Sequence, residues 1–281
     1  MRIKLSDVVF HVETFGELGS PVLLVMGLGM PGRAWKNQVP DLARHHRVAW
    51  FDHRGSGQTE ARPGLWSMDV FAGDCVALMD HLGWVDAHVV GVSMGGMIAQ
   101  HVALKYRERV RSLSLIATHA GGFRGRMPTG AGLWRFVSAN GASVDKRLNH
   151  LMSLLFPDDA FDESERARVK EGLLQDLVDR QPVRYRLSQL VAVLRHDMRA
   201  RLSELGGVPT LVAKPGRDIL VRPDECTRLA NNIPGAKLVE FPNAGHGIIR
   251  QEAPALNQEL LRHFAAADFR QQAAKQPTNK S

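Results

Sequence analysis

The segment Gly91-Val-Ser-Met-Gly-Gly96 limits what this chain can fold into more than any other stretch. It follows Ala87-His-Val-Val-Gly-Val92, an apolar run of the kind found in strands buried on both faces, and it opens a stretch, Met94 to Lys105, that reads as a helix. A G-x-S-x-G turn between a strand and a helix is tight and strained, and its glycines are what make the path possible. Such a turn projects its serine, here Ser93, from the carboxyl edge of a sheet.

The surrounding sequence repeats the pattern. Val8 to Gly16, rich in β-branched and aromatic residues, reads as an edge strand, and Val22 to Met26, Val48 to Phe51, Val110 to Ala117, Pro209 to Ala213 and Ala236 to Phe241 read as further strands. Helices alternate with them. Phe71, Cys75, Leu78, Met79 and Leu82 recur at helical spacing after a capping Ser67, and Pro223 and Pro254 open two more helices. Alternation of this kind implies an α/β fold with a mostly parallel, doubly wound sheet. The rhythm breaks over residues 118–204, where three helical stripes follow a glycine-rich loop: Leu148, Leu151, Met152 and Leu155; then Val169, Leu173 and Leu177; then Leu187, Leu190, Val191 and Leu194. Residues 1–117 and 205–269 therefore read as the core, 118–204 as a helical cap over the strand ends, and 270–281 as a polar, disordered tail.

Composition narrows the function. The net charge of +7 comes from scattered arginines mixed with acids, and aromatics are only 6%, which excludes stacking platforms and a concentrated basic face for nucleic acid. The longest apolar stretch, Val22 to Met30, is far too short for a membrane span, and charges at Arg2, Lys4 and Asp7 sit where a signal peptide would be apolar. Two cysteines, Cys75 and Cys226, make neither a disulfide framework nor a cysteine zinc site, so a reducing, cytoplasmic setting is expected.

Three features join Ser93. Met26-Gly-Leu-Gly29 ends an earlier strand, and its turn can aim the Leu28 N–H, together with the Met94 N–H, at an oxyanion formed by attack of Ser93 on a carbonyl. Asp218 follows one late strand and His246, in Asn243-Ala-Gly-His-Gly247, follows the last. A serine hydroxyl needs a base to take its proton, and the base needs an acid to hold its tautomer. Ser93, Asp218 and His246 supply all three in the chain order that this kind of fold uses.

On these residues the chain resembles the serine hydrolases of the α/β-hydrolase fold from Phe10 to Phe264, most closely small bacterial carboxylesterases, methylesterases and enol-lactonases. Asp52-His-Arg-Gly-Ser-Gly-Gln-Thr59 is similar to that family's D-x-R-G-x-G-x-S loop, in which the acid and the arginine are structural. Two positions depart from the pattern: Met26 replaces the histidine of the usual His-Gly oxyanion loop, and Pro215 replaces the glycine of the usual Gly-x-x-Asp acid loop. The resemblance implies two-step acyl transfer on a small-molecule ester or lactone, with no metal, cofactor, nucleic acid or membrane involved; oligomeric state is left open. A carbon–carbon bond hydrolase and a non-catalytic ligand receptor on the same fold are the alternatives. Met30, Trp35, Phe123 and Trp134, with Leu28, Met94 and Phe136, are the candidates for an apolar substrate pocket, and Lys214 and His119 for a polar contact.

Overall fold

The computed structural model describes residues 1–126, 129–130, 132, 144–176 and 182–275. The apolar runs form the expected strands: β2 (Val8–Phe15), β3 (Pro21–Val25), β4 (Arg47–Phe51), β5 (Ala87–Val92), β6 (Val110–Ile116), β7 (Thr210–Pro215) and β8 (Lys237–Phe241). With β1 (Arg2–Leu5) they lie in one sheet ordered β1-β2-β4-β3-β5-β6-β7-β8, and every pairing from β4 to β8 is parallel. One expectation is corrected here. Val8–Phe15 is not the edge, because a further strand, β1 (Arg2–Leu5), pairs antiparallel outside it in the register Ile3↔Phe10. In β1, Ile3 is buried while Arg2 and Lys4 face solvent, an alternation that ends the sheet in charge.

Period-two alternation splits the core into two layers. Leu23, Val25, Val89, Leu113, Leu115 and Val212 point to a face covered by α1 (Met68–His81), α2 (Met94–Lys105) and α6 (Pro223–Asn232). Val22, Leu24, Val90, Ile116 and Leu211 point to the opposite face, covered by Trp35, Leu42, Ile248 and α7 (Ala253–Lys275) through Leu256, Leu260 and Phe264. The Ser67 hydroxyl caps α1 by accepting from the Val70 N–H. Helix α7 is continuous through Lys275, so residues 270–275 of the expected tail are ordered helix; the remainder lies outside the described residues.

Between β6 and β7 the described residues contain no strand of the sheet, and three helices dominate: α3 (Val144–Leu155), α4 (Glu163–Asp176) and α5 (Val183–Arg195). Leu148, Met152, Phe156 and Leu173 form a separate apolar cluster that Leu151, Leu155, Val169 and Met30 pack against. Leu177 lies outside the described residues. The third stripe turns differently from its pattern: α5 buries Gln189 and Ala192, while Leu187 and Leu194 are exposed. No helix among the described residues is long and apolar enough to cross a membrane.

Burial also fixes the charge state of several histidines. His53 and His263 are held down to about 4 and His196 to about 3, in each case first by desolvation. A histidine whose folded value lies below its unfolded value of about 6.5 stabilises the fold fully above that pH and loses the contribution as pH falls. The thermal midpoint should therefore hold level above about pH 6.5 and drop steadily towards pH 4. A midpoint that stayed level from pH 7 to 5 in a scanning calorimeter would contradict the neutral assignments.

Candidate active site

Ser93 leaves β5 and precedes the first residue of α2 with φ 55° and ψ −121°, a left-handed conformation that strains any residue but glycine. Crowding holds it there. A Cβ on Gly91 would lie 2.2 Å from the Gly95 carbonyl oxygen, and one on Gly95 would lie 2.0 Å from that of Val25. The turn and the helix start are thus packed backbone against backbone. The Ser93 N–H donates to the Ile116 carbonyl at 2.9 Å, and the Thr118 hydroxyl donates to the Ser93 carbonyl at 2.8 Å. Thr118, two residues after β6, is thus engaged with the turn itself.

The turn after β3 lies directly alongside. A Cβ on Gly27 would sit 3.3 Å from Ser93 Cβ and 3.9 Å from its Oγ. Leu28 follows Gly27, and Met94 begins α2, so their N–H groups come from two segments that meet at Ser93. An N–H at the start of a helix also carries the positive end of the helix dipole.

Asp218 and His246 are brought together. His246 Nδ1 and Asp218 Oδ2 are 2.7 Å apart and both residues are buried. The other carboxylate oxygen accepts from the Leu220 and Val221 N–H groups at 2.8 and 2.9 Å. With its acceptors filled this way, Asp218 fixes the Nδ1–H tautomer and leaves Nε2 of His246 as the basic nitrogen. Pro215 does not disturb the acid loop, because Gly216 N–H donates to the Phe241 carbonyl and Arg217 N–H to that of Ala244, lacing it to the histidine loop. Among the described residues no hydrogen bond links the Ser93 hydroxyl to His246; in unliganded sites this contact is often open.

A second serine–histidine–aspartate contact exists and has different geometry. Ser20 Oγ is 3.0 Å from His88 Nε2 and 2.7 Å from Asp268 Oδ2. Acid and imidazole there approach the same hydroxyl, whereas a relay requires the acid on the far ring nitrogen; His88 Nδ1 instead meets Ser112 Oγ at 2.8 Å. Ser20 also precedes β3, at the amino edge of the sheet, opposite Ser93.

Two bracing residues were not recognised in the sequence. His53 is fully buried and donates from Nε2 to the Met26 carbonyl at 2.9 Å, which sets an imidazole against the turn after β3. It stands inside the Asp52-His-Arg motif, so its position was available to inspection. Gln189 of α5 accepts from the Gly29 N–H at 2.8 Å and donates to the Arg54 carbonyl and the Ser56 hydroxyl at 2.8 and 3.0 Å. That link crosses from the cap helices to the core, and no local pattern announces it. The cap meets the histidine loop as well, since the Gly247 N–H donates to the Leu155 carbonyl at 2.8 Å.

Asp52 and Arg54 are structural. Asp52 accepts from the Gly32 and Gln58 N–H groups, and Arg54 grips Asp74 through two bonds of 2.7 and 2.8 Å. The pocket candidates separate. Trp35 is 0% exposed within the core beneath the sheet, so it is a packing residue and not a pocket wall; its ring fills the layer with Leu42, Trp50 and Ile248. Phe123 is 78% exposed and lines a groove with Arg199, Glu225 and Arg228 whose lining includes none of Ser93, Asp218 and His246. Met30 touches both the core and the cap cluster. Trp134 and Phe136 lie outside the described residues. Lys214 is paired with Glu240, and buried His119 accepts from the Gly121 N–H.

Comparison with known proteins agrees with this fold. Residues 20–253 match the family model described as the alpha/beta hydrolase fold. A relative from Azorhizobium caulinodans, which carries the provisional name carbamate hydrolase RutD, is 32% identical over 91% of this chain and 95% of its own. The solved enol-lactonase from Burkholderia xenovorans superposes with a TM-score of 0.82 at 25% identity, over 94% of this chain and all of its own. A thermophilic esterase from Thermogutta terrifontis does so at 0.80 and 25%, over 95% of this chain and 99% of its own.

The glycine packing has a direct test. Gly95→Ala should destabilise the protein by about 3 kcal/mol or more, because the new methyl meets fixed backbone. Gly73→Ala, also within a helix but with only the Tyr106 hydroxyl at 3.9 Å, should stabilise by roughly 0.5–1 kcal/mol. Urea denaturation of both variants measures the difference, and equal effects would rule out the close approach.

Proposed function

The chain belongs to the α/β-hydrolase fold family, and on that premise we propose that it is a serine hydrolase cleaving a carboxylic ester or lactone through an acyl-enzyme on Ser93. The observation that carries the reading is the short contact between His246 Nδ1 and a fully bonded, buried Asp218, at the same sheet edge as the strained Ser93 turn. Relatives named as an enol-lactonase and an esterase support the substrate class.

In this mechanism His246 Nε2 takes the Ser93 proton as Oγ attacks the substrate carbonyl. The N–H groups of Leu28 and Met94 hold the oxyanion of the tetrahedral intermediate, and the start of α2 adds its dipole. The imidazolium, stabilised by Asp218, then protonates the departing alkoxide. Water deprotonated by the same nitrogen attacks the acyl-enzyme and frees Ser93. No step asks for a cofactor. In the same reading the helices of residues 118–204 select the acyl group, while Gln189 and His53 keep the oxyanion loop in register.

Carbon–carbon hydrolysis would use the same serine and histidine with a carbanion as leaving group, and a receptor would bind and react at most once. Steady turnover of a p-nitrophenyl ester series, with lactones of several ring sizes alongside, separates these from the proposal. A chain that turned over none of them, or only a vinylogous diketone, would refute the ester and lactone assignment.

Ser93→Ala should fold normally and lose about 10³–10⁶ in kcat. Asp218→Asn should lose roughly 10⁴ at neutral pH, because an amide can hold the imidazole in the wrong tautomer. Asp224→Asn is the control: Asp224 pairs with Arg222 and Arg228 at the start of α6, and activity should remain near that of the parent. Loss confined to Asp224→Asn would move the triad acid. Gln189→Ala should lower kcat by about 10–100-fold through a displaced oxyanion loop, with little change in KM. A change in KM alone would place Gln189 in substrate binding instead.

A further inference from the structure

We propose that Ser20, His46, His88 and Asp268 form a structural binding site for a four-coordinate first-row dication, with Zn²⁺ as the reference ion. The residues come from four places in the chain: the turn before β3, the residue before β4, the start of β5 and the last third of α7. The sheet gathers them at its amino edge, opposite Ser93. Two histidine nitrogens and a carboxylate oxygen belong to the donor set that zinc accepts, and the Ser20 hydroxyl stands beside them as the fourth oxygen or nitrogen donor.

The Ser20 hydroxyl sits against the other three donors. Ser20 Oγ lies 3.0 Å from His46 Nδ1, 3.0 Å from His88 Nε2 and 2.7 Å from Asp268 Oδ2, and His88 Nε2 lies 3.2 Å from Asp268 Oδ1. The histidine and carboxylate ligand atoms all fall within 4.8 Å of one another. A tetrahedral zinc with bonds of 2.0–2.1 Å spaces its ligand atoms by about 3.3–3.4 Å. The contacts to Ser20 Oγ must open by about 0.3–0.7 Å to reach that spacing, within reach of side-chain torsions.

Outer contacts orient the donors. His88 Nδ1 meets Ser112 Oγ at 2.8 Å, so it can donate there while Nε2 presents its lone pair. Phe264 stacks on the His88 ring with centroids 4.4 Å apart, and both imidazoles are buried. Arg111 donates to Asp268 at 2.8 Å, and its own charge is balanced by Asp86 at 2.6 Å. Without a metal the same four groups can close on hydrogen bonds alone, the Ser20 proton going to Asp268 and its lone pairs receiving the two imidazoles. The dication would replace that proton network by bonds that tie α7 to three segments of the sheet edge.

The test uses the full chain, stripped with chelator and titrated with Co²⁺. The expected result is one saturable equivalent per chain with the intense visible absorption of tetrahedral Co²⁺, displaced by Zn²⁺. Asp268→Asn and His88→Gln should each weaken binding by at least about 10-fold, and Ser112→Ala by about 10–100-fold. Zn²⁺ at about a hundredfold over its Kd should raise the Tm by roughly 5 °C in the parent and not in Asp268→Asn. Asp268 is partly exposed, so its variant keeps the test usable if His88→Gln does not fold. His246→Ala should retain the Co²⁺ signal. Absence of a saturable band, a band that survives both ligand variants, or one that disappears with His246→Ala would overturn the proposal.

Discussion

The approach of Gly95 to the Val25 carbonyl is the contact on which the rest of the site depends. Because α2 starts against the end of β3, the chain leaving β5 has no room to relax, and Ser93 is left at φ 55°. Strain of this kind costs about 1–3 kcal/mol and persists only where neighbours over-determine it. Here the neighbours are the Ile116 carbonyl, which holds the Ser93 N–H, and the Thr118 hydroxyl, which holds its carbonyl. The same contact sets Gly27 against Ser93, so one packing event positions the hydroxyl and brings both candidate oxyanion donors alongside it.

Parallel strands explain how distant segments converge. Each of the turns after β3, β5, β7 and β8 leaves the same edge of the sheet, and the loops after β7 and β8 are laced by backbone hydrogen bonds that seat His246 on Asp218. The helices of residues 118–204 close on this edge at separate points. Gln189 reaches the turn after β3, Leu155 receives the Gly247 N–H, and buried Asp176 binds Arg250 at 2.6 Å. Burial pushes the Asp176 carboxyl up while Arg250, Lys36 and Arg33 pull it down, so the carboxylate is tied to the cations of the core. These helices and the loops at that sheet edge are thereby mechanically connected.

Most of the sheet was legible because strands buried on both faces are written as unbroken apolar runs, as in Val22 to Val25 and Ala87 to Val92. The turn at Ser93 was legible because its glycines answer to backbone crowding within a few residues. Strand β1 was missed: four residues alternating charge and apolar side chain carry little signal beside the charges of the amino terminus. The face of α5 was misread because its burial is decided by Gln189, a polar side chain whose three partners lie more than a hundred residues away. Trp35 looked like a pocket residue by type and proximity to the oxyanion loop, and the second core layer claimed it instead. Asp218 and His246 were placed by chain order after strands, while their mutual contact required the fold.

The central claim is that Ser93, and not the buried Ser20, carries the reactive hydroxyl. Peptide mapping by mass spectrometry after reaction with a fluorophosphonate measures this directly. The account predicts a single adduct per chain on the peptide containing Ser93, formed much more slowly in His246→Ala. An adduct on Ser20, or no adduct on a folded chain, would contradict it.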